Sequence, residues 1–301
     1  RPFATLSCGF VASGAPSVST RASTTSAGRQ SNDLPPQAPS GSVADISASG
    51  RYVAFESAAS DLVPGDNNGA PDVFRKDLAS GATSRVSSTP SGLGGNRWSL
   101  RPTISGDGRY VGFISAASNL GVGLRDLPDS DRSFGNVFVK DLDTNEVTAV
   151  NRAADGSAPN GGSLSVELNS NGRFAAFDST ASNISPGDRD SFSDVYIKDL
   201  RTLQTQLVSQ RRDATAYRYQ NWAAYLNAIS PDGRFVGFHS ADAEFVPDDS
   251  NEQFDVFRTS NDLITLDPPN APPPTQQIER ILLPPIYHRP LTLEDYLDAA
   301  L

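Results

Sequence analysis

Three short acidic runs hold most of the chain's capacity for chemistry: Asp66-Asn67-Asn68 with Asp72, Asp188-Arg189-Asp190 with Asp194, and Asp249-Ser250-Asn251 with Asp255. Oxygen donors spaced by two and then four residues on a loop can wrap a hard cation. Asp66, Asn68, Asp72, Asp188, Asp190, Asp194, Asp249, Asn251 and Asp255 therefore make three candidate calcium sites. Asp and Asn also form turns ahead of strands by bonding nearby backbone, and both readings stand at this level. A fourth run departs from the pattern, with Ser130, Arg132 and Asn136 at the matching places.

Other reactive groups are few. His239 and His288 are the only histidines, and they lie in unrelated contexts. No nucleophile motif is present, so a Ser-His-Asp device is not expected. Cys8 is the single cysteine, which rules out a disulfide or a thiolate metal cage within the chain, and a small buried thiol is the expected state. Glu56 and Asp178 could face a central channel as a pair of catalytic acids, the arrangement of a glycosidase, with His239 in the equivalent slot. Arg51, Arg109, Arg173 and Arg234 recur together with Asp77, Asp141 and Asp199, and recurrence favours pairs that set geometry over a unique site.

These residues are positioned by an internal repeat. Ile46 to Phe55, Ile104 to Phe113, Leu168 to Phe177 and Ile229 to Phe238 are four copies of one phrase, spaced 58, 64 and 61 residues apart at their turn glycines. A second phrase follows about 20 residues later in each copy: Asp72-Val73-Phe74, Asn136-Val137-Phe138, Asp194-Val195-Tyr196 and Asp255-Val256-Phe257. The first phrase reads as strand, tight turn and apolar strand, with Gly50, Gly108, Gly172 and Gly233 supplying the positive φ that the turn needs. A small residue at Ala54, Gly112, Ala176 and Gly237 lets a neighbouring sheet approach. The second phrase is a third strand, and 83–87, 147–151 and 205–209 are fourth strands. Each unit is thus a four-stranded antiparallel meander that must stack on others, and the fold expected is an all-β propeller.

The run Ser-x-Asp-Gly-Arg-Tyr-Val-x-Phe-x-Ser, followed by Val-Pro-Gly-Asp and Asp-Val-Phe, resembles the TolB-type, WD-like propeller repeats of bacterial periplasmic and secreted proteins. The resemblance covers residues 40–267. It implies a non-catalytic, exported, protein-binding or scaffold subunit of a larger assembly, located in the periplasm or outside the cell. The alternative is a propeller hydrolase or lactonase acting at the channel mouth. TolB itself has six blades, whereas four copies are legible here. Ser19 to Ser23 matches Ser84 to Ser87 as an outer strand and Phe3 to Val11 could precede it, so five blades closed by the two termini is the favoured arrangement, over four or six. Ile264-Thr265-Leu266 is expected to give the fourth repeat its outer strand.

The chain is thereby divided into an N-terminal segment (1–39), the repeats (40–267) and a tail (268–301). The tail opens with a proline-rich spacer and ends in an amphipathic helix with Leu293, Tyr296, Leu297 and Leu301 on one stripe. That stripe and the aromatic residues Tyr217, Tyr219, Trp222 and Tyr225 of the 211–225 segment break the repeat symmetry and are the expected partner contacts. The 120–133 insertion is a third break. A formal net charge of -10 argues against nucleic acid, and no apolar run is long enough to span a bilayer. The start at Arg1 and the absence of methionine are read as signs of a processed, exported chain.

Overall fold

A computed structural model describes residues 19–32, 43–121, 124, 134–188, 190–212, 223–247, 249, 253–264 and the backbone of 278–281. Among the described residues sixteen strands form four four-stranded antiparallel sheets. Blade one comprises β1 (Ala44–Ile46), β2 (Tyr52–Ser57), β3 (Asp72–Asp77) and β4 (Thr83–Arg85). Blade two comprises β5 (Ser99–Ile104), β6 (Tyr110–Ser115), β7 (Asn136–Asp141) and β8 (Val147–Ala149). Blade three comprises β9 (Ser163–Leu168), β10 (Phe174–Ser179), β11 (Asp194–Asp199) and β12 (Thr205–Leu207). Blade four comprises β13 (Tyr225–Ile229), β14 (Phe235–Ser240), β15 (Asp255–Ser260) and β16 (Ile278–Ile281). The all-β propeller architecture is therefore present, one blade per repeat. Among the described residues no helix is long and apolar enough to cross a membrane.

One correction concerns blade four. Its outer strand is β16, which pairs Ile278 with Thr259 and Ile281 with Val256, so the edge expected for residues 264–266 is taken; 265 and 266 themselves lie outside the described residues. The strand comes from within the 268–301 segment.

The second and third strands of each blade carry the core, and in blades two and three they are buried on both faces. One ring pair crosses each sheet: Phe55 with Phe74, Phe113 with Phe138, Phe177 with Tyr196 and Phe238 with Phe257, at centroid distances of 5.3–5.7 Å. Blades stack in sequence order. Ala54, Val73 and Val86 of blade one pack on Ile104, Val111 and Phe113 of blade two; Val137 and Val139 pack on Val166 and Phe177; Val195 and Ile197 pack on Val236 and Phe238. The first strands β1, β5, β9 and β13 are neighbours in that order.

The hairpin turns bind the stack together. Ala48 N donates to Gly106 O, Gly106 N to Ser170 O and Ser170 N to Pro231 O, at 2.8–3.0 Å. The ladder stops at Pro231, which has no N–H to pass on. All four turn glycines have φ between 68° and 78°. At three of them the backbone also lies against the aromatic ring of the preceding blade: a Cβ on Gly108 would sit 2.2 Å from Tyr52, on Gly172 2.2 Å from Tyr110, and on Gly233 2.7 Å from Phe174. Gly50 meets nothing within 4 Å, because among the described residues no blade precedes it there.

The two ends of the stack are consequently uncovered among the described residues. Ile46 is 58 % exposed, whereas its equivalents Ile104 and Leu168 are 5 % and 8 % exposed. At the other end, Val256 is half-buried where Val73, Val137 and Val195 are fully buried, and a Cβ on Gly237 would meet no atom closer than 3.9 Å.

Candidate functional site

The recurrent arginines and aspartates prove to be cross-strand clasps. Arg51 donates through Nε and Nη2 to the two carboxylate oxygens of Asp77 at 3.0 and 2.8 Å, and Arg109 does the same to Asp141 at 2.9 and 2.6 Å. Arg173 holds Asp199 at 2.8 Å. Each carboxylate also accepts the N–H of the residue two positions on, so it fixes the turn after the third strand. The Arg109 guanidinium holds Asp141 down at about 2. Blade four has Ser260 at this place, and Arg234 has no carboxylate opposite it in the sheet.

The acidic runs differ from one another. In blade one Asp66 and Asp72 are brought together, but the Arg85 guanidinium lies 3.4 and 3.6 Å from them, where it supplies the positive charge itself. Asn68 turns its amide to Asp72 Oδ2 at 3.1 Å and to Gly95 O at 2.7 Å. Burial pushes Asp72 up to about 6. Leu207 stands at the place of Arg85 in blade three, and there the carboxylates of Asp188, Asp190 and Asp194 come within 4.8 Å of one another. Tyr196 donates its hydroxyl to Asp188 at 2.5 Å, Arg211 holds Asp190 at 3.1 Å, and Ser209 donates to Asp194 at 2.6 Å. Burial raises Asp194 to about 7, and the two neighbouring carboxylates add to the shift. Arg211 offsets one of these charges as Arg85 does in blade one, but blade three brings three carboxylates together where blade one brings two, and the fuller oxygen set is the one suited to a hard cation. In blade four Asp249 is buried and Asp255 half-buried, and Asn251 lies outside the described residues.

Part of this acidic pattern is structural. Ser87 Oγ donates to Asp72 and accepts from Val73 N at 3.0 Å, and Ser209 does the same for Asp194 and Val195 N at 2.9 Å. In blade two, Asn151 accepts from Val137 N at 3.1 Å. The residue at the head of the third strand thus latches it to the fourth.

Glu56 and Asp178 are committed to backbone. Asp178 is buried, and its carboxylate accepts from Leu164 N at 3.1 Å, Ser165 N at 2.9 Å and Leu226 N at 3.4 Å. Glu56 accepts from Arg101 N at 2.8 Å, where the φ of Arg101 is 55°. Both serve N–H groups that irregularities in the first strands β5, β9 and β13 leave without ladder partners. Burial lowers the pKa of His239, whose Nδ1 lies 3.0 Å from Asn227 Oδ1.

A different trio meets on the inner strands. Thr103 Oγ1 lies 3.3 Å from Asp45 Oδ2 and 3.2 Å from Glu167 Oε2, with Ile104 N donating to the same Asp45 oxygen at 2.7 Å. Burial pushes Glu167 up to about 7, and the charge of Asp45 pushes it in the same direction. Three blades contribute one residue each. None of the three belongs to a recognisable motif; their signal in the sequence is that one repeat slot, just before the Ile or Leu of the first strand, holds Asp45, Thr103, Glu167 and Ala228.

Of the expected partner residues, Tyr225 opens β13 and stacks on His239 at 5.4 Å, and His239 in turn meets the ring of Phe254 at 5.7 Å. Phe254 is 60 % exposed. Tyr217, Tyr219, Trp222, Leu293, Tyr296, Leu297 and Leu301 lie outside the described residues, as do His288 and Cys8.

No known protein family and no curated protein matches the chain. Among solved structures it is similar to TolB from Acinetobacter baumannii, at 16 % identity and a TM-score of 0.38 over 72 % of this chain and 40 % of that one. A putative TolB from Agrobacterium tumefaciens is similar at 14 % identity and a TM-score of 0.41, over 72 % of this chain and 60 % of that one. The β-propeller domain of the Trilobed protease from Pyrococcus furiosus is similar at 13 % identity and a TM-score of 0.38, over 71 % of this chain and 52 % of that one. The chain thus spans less than two thirds of each of these. Its propeller architecture is visible in its own four sheets and their stacking.

Proposed function

We propose that the chain is a non-catalytic protein-binding module, a scaffold subunit of an assembly outside the cytoplasm. The observation that carries this reading is the aromatic cluster of Tyr225, His239 and Phe254 at the end of the stack. Val236, Phe238 and Phe257 face blade three, so by the alternation of a strand His239 and its stacked partner Tyr225 lie on the opposite, uncovered face of blade four. Phe254 is exposed and the other two are half-buried, and aromatic side chains grouped at one surface are what protein interfaces enrich. The experiment is capture of partners from the native source by the tagged chain, comparing wild type with Phe254→Ala and Tyr225→Ala. Loss of a specific partner at an unchanged melting temperature supports the reading. Equal recovery by all three chains refutes it. Cell fractionation tests the location.

A hydrolase or lactonase keeps one specific support, the pair Asp45 and Glu167, which both lie within hydrogen-bond reach of Thr103 Oγ1 and of which Glu167 is raised by burial to about 7. Turnover of a glycoside, lactone or ester that disappears in Glu167→Gln would establish it over the binding reading.

A further inference from the structure

Residues 19–32 contact blade one as an inter-blade linker contacts the blade that follows it. Lys76 Nζ donates to Thr24 O and Thr25 O at 3.3 and 3.0 Å, as Lys140 Nζ donates to Ser88 O and Thr89 O at 2.9 and 3.2 Å. Thr24 bridges Gln30 as Ser88 bridges Gly94. Gly28 N closes on Thr25 O, Gly92 N on Thr89 O and Gly156 N on Ala153 O, each at 2.9 Å. Asn32 holds Ser60 and Asp61, Asn96 holds Ser118 and Asn119, and Asn160 holds Ser182 and Asn183, through the same atoms. In the linkers after blades one and two these contacts follow a fourth strand. Residues 19–23 therefore occupy the place of a fourth strand of a preceding blade. They cannot be the fourth strand of blade four, because β16 already pairs with β15.

The strand that should accompany them can be counted out. The residue that latches the third strand lies 15 positions after the head of that strand in three blades: Asp72 to Ser87, Asn136 to Asn151, Asp194 to Ser209. Counting back 15 from Ser23 reaches Cys8, and counting back 13 reaches Phe10, in the slot of Phe74, Phe138 and Tyr196. We propose that residues 8–13 of this same chain dock beside residues 19–23 as the third strand of a further blade, and that this two-stranded piece covers the outer part of the open face of blade one. The occupant is set by the register its latch dictates. The proposal does not depend on the binding function above.

The lone cysteine makes the register measurable. Ser87 Oγ lies 2.5 Å from Asp72 Oδ1, so side chains at positions 23 and 8 would touch, and directly opposed cross-strand positions suit a disulfide. In the full chain carrying Ser23→Cys, mild oxidation at low protein concentration should consume both thiols and link position 23 to Cys8 within one molecule, as read by a peptide mass map. Thr20→Cys, three positions out of register and roughly 10 Å along the strand, should not link. A link from position 20 as readily as from 23, thiols that stay free, or a disulfide joining two chains would each overturn the proposal, the last by making a second copy the occupant. As a measurement that needs no new cysteine, Cys8 in the native wild-type chain should react with a thiol reagent at least about tenfold more slowly than in urea, and Phe10→Asp should abolish that protection. Equal rates in native and denatured wild type would refute docking.

Discussion

Substituting alanine for a turn glycine separates the cost of the backbone from the cost of the neighbouring blade. Gly50 and Gly172 have φ of 69° and 68°, so placing a Cβ in the left-handed region costs about 1–2 kcal/mol at either. Their surroundings differ. The added methyl meets nothing at Gly50, but at Gly172 it would lie 2.2, 2.6 and 2.9 Å from Cδ2, Cγ and Cβ of Tyr110. Those atoms sit near the root of the side chain, and Arg109 lies over the ring at 4.9 Å, so Tyr110 cannot swing clear without breaking its own contacts. Relieving such overpacking costs typically a further ~1–3 kcal/mol. Gly172→Ala should therefore destabilise by ~2–5 kcal/mol and Gly50→Ala by ~1–2 kcal/mol. The assay is urea unfolding followed by the fluorescence of buried Trp98, with slopes checked for constancy. Equal losses at the two glycines would refute the idea that blade-to-blade contact, and not the turn alone, selects glycine there.

Four further outcomes are expected. Phe113→Ala, at a fully buried ring shared by blades one and two, should cost ~3–5 kcal/mol in the same assay. Glu167, raised to about 7 in the folded state, contributes stability that is fully present below its unfolded pKa of about 4 and is lost as pH rises to 7; Glu167→Gln should flatten that part of a melting-temperature profile, and an unchanged profile would place the trio in water. Calcium should raise the melting temperature by binding only the folded chain, a gain that Asp190→Asn reduces and Asp72→Asn leaves in place, because blade three gathers three carboxylates whereas blade one gathers two with Arg85 against both. Truncation after Leu282 should leave the four blades intact and weaken partner capture if the 293–301 stripe docks there, whereas truncation after Asn270 removes β16 and should lower the melting temperature by exposing the edge of β15.

The repeat made strands, turns and pairing partners legible because each is written locally. The apolar run after Arg109 and the glycine before it specify a hairpin without reference to the rest of the chain, and Arg109 and Asp141 are recognisable as partners because they recur together. What was not legible depends on register between distant segments. Arg85 sits between Asp66 and Asp72 only because β4 folds back along β3, and no spacing rule in the chain announces an arginine 13 residues beyond an aspartate as its counter-ion. Glu56 and Asp178 looked available for chemistry because bulges in the first strands, which create the N–H groups they satisfy, leave no mark in the pattern of apolar residues. Ile264-Thr265-Leu266 reads as the outer strand of the fourth repeat, yet a strand can be closed by any segment that reaches its edge, and Ile278–Ile281 is the one paired with β15.

The departures of blade four from the repeat fall together, and that coincidence argues for where a unique surface lies. Thr259 stands at the place of Lys76 and Lys140, Ser260 at the place of Asp77, Asp141 and Asp199, and Pro231 ends the ladder of turns. Each device lost is one that, in the other blades, ties a sheet to its linker, to its own turn or to the next hairpin. Arg258 still lies 4.6 Å from the Phe235 ring, on the face that no described blade covers. A face released from the constraints that keep the other blades alike is free to carry side chains chosen for another purpose, and Tyr225, His239 and Phe254 are aromatic residues found there beside Phe235. Repetition fixes the interior of the stack; function is therefore to be sought at its ends.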